Sequence, residues 1–214
     1  MRRIATMIVI ALSAAVGGAR GVRAQESLLP NASWAMTPIF SVWHFGTPIT
    51  QAAGAVKNVQ QFALPLRARA ILGERWTLDV SGAASTSSLQ IEDAGASKTL
   101  TLSGLTDLKI RLSGSLIGDK LVVTAGVNVP TGTTGLDAEK TTVLQVIGAP
   151  ALRMPVGALG LGPGATLGFV TARESGPWAL AVGASLEQRT EYTPIELALA
   201  SGTSATKITP GSTL

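Results

Sequence analysis

DLKIRLSGSLIGDKLVVTAGVNVP, Asp107 to Pro130, is the stretch that decides the fold. Two runs alternate apolar and polar residues with period two and meet at a turn. In the first, Leu108, Ile110 and Leu112 share one face, opposite Lys109, Arg111 and Ser113. In the second, Leu121, Val123, Ala125, Val127 and Val129 share a face, opposite Val122, Thr124, Gly126 and Asn128. Alternation of this length predicts β-strands, and Gly118-Asp119 supplies the turn chemistry. Each run reaches the roughly 9–11 residues a tilted strand needs to cross a bilayer. The polar faces carry cations but are otherwise small and hydroxylic, with little to fill a dry core. The expected fold is therefore all-β: the antiparallel wall of an outer-membrane β-barrel, about eight strands in this chain. A secreted β-sandwich is the competing architecture.

The chain has 214 residues and no Cys, so disulfides and thiolate metal sites are excluded. Its formal charge of +4 is unevenly placed. Four of the 17 basic residues (Arg2, Arg3, Arg20 and Arg23) lie in the first 24 positions, where there are no acids, and the remaining basic residues equal the 13 acidic ones in number. With no basic cluster in the body of the chain, no nucleic-acid partner is expected. The leader reads as a secretory signal over 1–24. Arg2-Arg3 make a positive start, Ile4 to Val16 an apolar run too short to span a bilayer as a helix, and Val22-Arg23-Ala24 a cleavage site. Residues 25–214 form one barrel domain.

Trp34 to Phe45 is the most aromatic segment and a first strand, and Thr47 to Gln60 reads as a loop. Leu64 to Leu72 and Trp76 to Ser81 alternate as the next two strands, joined at Gly73-Glu74, and Ser85 to Thr101 reads as a polar loop. After the central hairpin, Asp137 is placed to cap a short helix through Lys140, Val143, Leu144 and Ile147, ended by Gly148. Leu152, Met154 and Val156, opposite Arg153, read as a sixth strand. The Gly-rich 157–164 stretch lacks a Lys-Ser/Thr ending and is read as a turn, not a phosphate loop. Thr166 to Ala172 and Trp178 to Leu186 complete the strands, and the chain from Thr193 onward is loop-like. Trp76 and Trp178 each follow a turn directly, where interfacial aromatics belong.

Strand parity sets the charges Arg67, Arg69, Asp79, Lys109, Arg111, Arg153, Glu187 and Arg189 opposite the apolar series, as lumen-lining candidates. Two readings stand side by side. Either they form a cationic wall around water, or Asp79, Glu187 and Glu191 neutralise the cations in a packed interior. His44 is the only histidine, sits between Trp43 and Phe45, and accompanies no nucleophile-elbow pattern. Glu92-Asp93 falls in the polar stretch. No catalytic, cofactor-binding or metal-ligating residue is expected, and no cofactor.

The phrases SGLTDLKIRLSG (Ser103–Gly114), VVTAGVNVPTGTTGLDAEK (Val122–Lys140), GAPALRMPVGALGLGPG (Gly148–Gly164) and EYTPIE (Glu191–Glu196) together resemble bacterial outer-membrane transporter-like barrels. The family resembled is the one described as "MetA-pathway of phenol degradation". That resemblance implies a non-enzymatic channel or transporter in the bacterial outer membrane for small, aromatic or hydrophobic molecules. Its partners would be outer-membrane lipid, a small-molecule solute and the barrel-assembly machinery. It carries over no site residues. The alternative is a structural or adhesive barrel with a filled interior. The turn-like ending KITPGSTL, Lys207 to Leu214, without an aromatic, leads us to expect an incomplete barrel. A backbone ladder between Trp34–Phe45 and Trp178–Glu191 would instead close it.

Overall fold

A computed structural model describes residues 6–11, 31–51, 54–93, 95–199 and 202–208. In chain order the elements are β1 (Thr6–Ala11), β2 (Ala32–Met36), β3 (Ile39–Gln51), β4 (Gly54–Leu72), β5 (Trp76–Asp93), β6 (Ala96–Leu105), β7 (Leu108–Leu116) and β8 (Leu121–Val129). Then follow the helix α1 (Ala138–Ile147), β9 (Gly164–Ser175), β10 (Trp178–Arg189), β11 (Tyr192–Leu199) and β12 (Gly202–Ile208). The first ten strands make one antiparallel sheet that curls into a half-barrel, and β11 and β12 form a separate hairpin. No described helix is long and apolar enough to cross a membrane.

The sheet is an up-and-down meander with two bent members. β2 and β3 run in line along β4, broken at Thr37-Pro38, where Thr37 N–H donates to Pro65 O at 3.3 Å. β6 and β7 likewise both pair with β5, broken at Thr106-Asp107. The breaks fall where a proline removes a ladder donor, or where Asp107 turns its backbone N–H towards Leu159 O at 3.2 Å. Short turns at 73–75, 117–120 and 176–177 gather at one end of the wall, and Trp76 and Trp178 each begin a strand there. The Ile117-Gly118-Asp119 turn has φ of 52°, 58° and 67°, a left-handed run that Gly and Asp tolerate far better than the β-branched Ile.

The other end of the concave face is packed. The chain leaves β8 at Pro130, folds inward as α1, a 3-10 turn at Pro150–Leu152 and irregular chain, and returns at β9. Val143, Val146, Ile147, Leu152, Met154, Val156 and Leu159 from this inserted plug bury themselves against Val56, Val59 and Ala63 of β4, Leu89 and Ile91 of β5, and Leu100 and Leu102 of β6. Each fully buried aliphatic side chain contributes about 1.5–3 kcal/mol. Asp137 caps α1 by accepting from Lys140 N–H at 2.8 Å, and Gly148 closes it by donating its N–H to Leu144 O, as the sequence predicts.

Several sequence expectations are corrected here. The 47–60 and 85–101 stretches are mostly strand: they lengthen β3, β4 and β5 and create β6. One face of them (Val56, Val59, Leu89, Ile91 and Leu100) is covered by the plug, while Asn58, Gln60, Thr86, Ser88, Gln90, Thr99 and Thr101 occupy the opposite face, a pattern easily taken for a polar loop. The expected strand at Leu152–Val156 is absent. Pro150 starts a 3-10 turn and Arg153 adopts φ 47°, ψ 42°, which breaks extended structure. The burial of Leu152, Met154 and Val156 does alternate with exposed neighbours, but their cover is the sheet face rather than a flanking strand. From Tyr192 the chain forms the β11–β12 hairpin instead of a loop.

Among the described residues the sheet is open. β10 pairs with β9 alone, and β3 pairs with β4 and β1, so no ladder joins Trp34–Phe45 to Trp178–Glu191. Within the expected leader, Thr6–Ala11 lies antiparallel to Ile39–His44 as β1. Residues 1–5 and 12–30, which hold the remainder of the leader and its expected cleavage site, lie outside the described residues, as does the 209–214 part of the KITPGSTL ending.

Candidate functional site

In an antiparallel pair, directly opposed residues share a face, so the register fixes the composition of each side. One row runs Ser33–Arg69–Asp79–Arg111–Gly126–Thr166–Glu187 across β2, β4, β5, β7, β8, β9 and β10. The next runs Ala35–Arg67–Ser81–Lys109–Asn128–Gly164–Arg189. Both rows lie on the face that carries the plug. The opposite, convex face holds Trp34, Leu66, Leu167, Phe169, Trp178 and Leu180, all exposed, with Trp178 at 79% and Trp34 at 62%. A one-residue slip in any strand would exchange these two sets.

Arg67, Arg69, Asp79, Lys109 and Arg111 are brought together around one concavity of about 710 Å³, together with Ser33 and Ser81. A second hollow of about 440 Å³ continues from Arg111 past Thr124 and Thr166 to Ser185. Arg69 donates from Nε to Asp79 Oδ1 at 2.7 Å. Among the described residues no ion pair engages Arg67, Lys109 or Arg111. Four cations and one carboxylate thus share the concavity. Glu187 does not reach them: it pairs with Arg189 on its own strand, Nη2 to Oε1 at 2.7 Å, at the far side of the sheet. Glu191 follows the end of β10. Arg153 is the one candidate off the sheet, exposed on the plug at the end of the 3-10 turn. His44 has the parity of the convex face, opposite Asn58.

Two polar clusters that sequence reasoning missed hold the plug. Gln61, fully buried, donates from Nε2 to Val156 O (2.7 Å) and Ser87 Oγ (2.9 Å), and its Oε1 accepts from Val156 N–H at 2.9 Å. Its amide thereby does for Val156 what a neighbouring strand would do. Asp107, 3% exposed, accepts from Gly132 N–H (2.8 Å), Leu161 N–H (2.6 Å) and Asn128 Nδ2 (3.0 Å), tying both ends of the plug to the start of β7. Gly132 is required there, because a Cβ would meet Asp107 Oδ1 at 2.5 Å and the Gly160 backbone at 2.6 Å. The signal for Gln61 was available: an amide at the parity of Val59 and Ala63 must find a buried partner.

No group of three His, Cys, Asp or Glu side chains among the described residues is placed to hold a metal ion. The two faces differ in what they mostly offer a neighbour. The convex face is largely apolar, with Arg173 opposite Leu180 near the turn end, and the concave face offers guanidinium, ammonium and hydroxyl donors beside exposed Ile71, Val122 and Val170. Comparison of the chain with protein-family models, with curated proteins and with solved structures finds no match.

Proposed function

We propose that this chain is the wall of an outer-membrane β-barrel that passes small molecules through a cation-lined lumen, without chemistry of its own. The observation that carries the reading is the division of faces. The charged residues of the two rows lie on the concave side, and the large exposed apolar residues of β2, β4, β9 and β10 lie on the convex side except Ile71 and Val170, which have the concave parity towards the turn end. In water such an apolar surface is a liability; against lipid tails it is the expected exterior. Turned the other way, four cations would face lipid at roughly 2–4 kcal/mol each at the midplane.

The strand lengths suit this arrangement. β7 and β8, nine residues each, span about 30 Å, close to the apolar band of such barrels once tilted. β4, with 19 residues, reaches about 60 Å, so its plug-covered half would stand outside the bilayer. There the convex face of β5 and β6 is polar, with Thr86, Ser88 and Gln90 opposite Ser103, Thr101 and Thr99, next to the exposed Phe62 and Phe40 of β4 and β3. The apolar run near the N-terminus supports export, and the resemblance to outer-membrane transporter-like barrels points the same way.

A second reading, the filled structural barrel, is favoured by the packed plug. Planar-bilayer conductance and solute uptake into liposomes separate the two. Passage of ions, phenols or alkyl aromatics supports the channel, and no flux for any of them supports the filled barrel. Recovery of the mature protein as a soluble periplasmic species without detergent would remove both.

A further inference from the structure

We propose that Arg67, Ser81 and Lys109 form a seat for the oxyanion group of a small solute, a carboxylate or a phosphate. The seat rests on the reading of the concave face as a water-filled lumen. It is argued from the two rows, which share one pattern of a cation on β4, a central residue on β5 and a cation on β7.

In the first row the central residue is Asp79, between Arg69 and Arg111, and its carboxylate receives Arg69 Nε at 2.7 Å. In the second row, about 7 Å along the strands, the flanking cations are Arg67 and Lys109 and the central residue is Ser81. The geometry that holds a carboxylate in one row recurs in the next without one. Opposed positions lie about 5 Å apart, so Arg67 and Lys109 stand about 10 Å apart at their roots. An oxyanion above Ser81 is within reach of both long side chains.

The donors are available. Neither cation has an ion-pair partner among the described residues, and the Ser81 hydroxyl is engaged in no hydrogen bond there. Asn128, which opposes Lys109, is committed elsewhere through its Nδ2 to Asp107 and Gly162 O. Ala35, which opposes Arg67, is small and leaves the 710 Å³ concavity room for the body of the solute. Arg111, adjoining in the first row, adds charge that favours an anion over a neutral solute.

The test is equilibrium binding to the full chain refolded in neutral detergent, where flux plays no part. A non-conducting protein that still binds defeats the channel reading alone. Benzoate and inorganic phosphate are the probes, and benzylammonium is the control. Binding of benzoate with little phosphate identifies an organic carboxylate as the occupant, and the reverse identifies free phosphate. Arg67→Gln with Lys109→Gln should weaken the preferred anion by about tenfold for each cation removed, and Arg153→Gln should leave it unchanged. Should the double variant not fold, Ser81→Asp supplies the carboxylate the second row lacks. It should fold as the wild type does and abolish anion binding. Unchanged anion affinity in either variant, no binding of either anion to the wild type, or equal binding of benzylammonium, overturns the seat.

Discussion

Gln61→Met isolates what holds the plug against the wall. Met is close to Gln in volume and flexibility, so the change removes hydrogen bonding with little cavity or overpacking. Three bonds disappear: those from Nε2 to Val156 O and Ser87 Oγ, and that from Val156 N–H to Oε1. Val156 is 5% exposed, so its N–H and C=O are left buried without partners. At about 1–3 kcal/mol per orphaned group, the two cost roughly 2–6 kcal/mol. That cost falls on docking of the plug, because no β4–β5 ladder bond is touched, and the aliphatic contacts still favour the docked form. Amide hydrogen exchange in detergent reads it directly. The Val156 and Leu159 amides should exchange about 30-fold to 10⁴-fold faster, at tenfold per 1.4 kcal/mol, while β4–β5 amides keep their protection. Unchanged exchange at Val156, or an equal loss of protection throughout the wall, would refute the idea that this amide latches a separable plug.

The second tether behaves likewise: Asp107→Leu leaves Gly132 N–H and Leu161 N–H without their acceptor, at roughly 2–6 kcal/mol, seen as faster exchange at those two amides, whereas Asp107→Asn retains one acceptor oxygen and loses less. On the concave face, Lys109→Glu plus Arg111→Glu changes the local charge from net positive to net negative, so any pore should lose or reverse an anion preference in its reversal potential under a salt gradient. The pH dependence of α1 follows from its cap: the Lys140 N–H, then the Lys140 side chain, hold the Asp137 carboxyl below its ordinary range. A depressed folded value means the cap's contribution is complete above the ordinary carboxylate range and is lost as pH falls through the lower, folded value. Protection of α1 amides should therefore persist through mildly acidic pH and decline only below that range, and Asp137→Asn should flatten the profile. At the turn end, Gly114→Val would drive a side chain into the Trp76 ring and should displace the indole, read as a shift in tryptophan emission.

Wherever one face of a strand meets one environment along its whole length, period-two alternation fully specifies that strand. Lys109 and Arg111 against Leu108, Ile110 and Leu112 are such a case, as are Arg67 and Arg69 against Leu66, Ala68 and Ala70, and the register of the sheet keeps each set on its own side. The helix at Ala138–Ile147 was legible for a similar reason, since Asp137 and Gly148 act through bonds within a few residues of themselves. The plug was not legible. Leu152, Met154 and Val156 carry the alternation of a strand, yet the surface that buries them belongs to β4, β5 and β6, and the partner that satisfies Val156 is an amide 95 positions earlier in the chain. The polar runs at 47–60 and 85–101 hid long strands because their outer face carries amides and hydroxyls and their inner face is apolar only where the plug covers it. Which cations remain unpaired was also a tertiary matter. Composition supplies enough carboxylates for neutrality, but side-chain reach within a fixed register lets Asp79 serve Arg69 and keeps Glu187 with Arg189. Local periodicity thus determined which face each residue takes, while contacts between segments far apart in the chain decided what lies against that face, because burial and pairing depend on neighbours that no local pattern encodes.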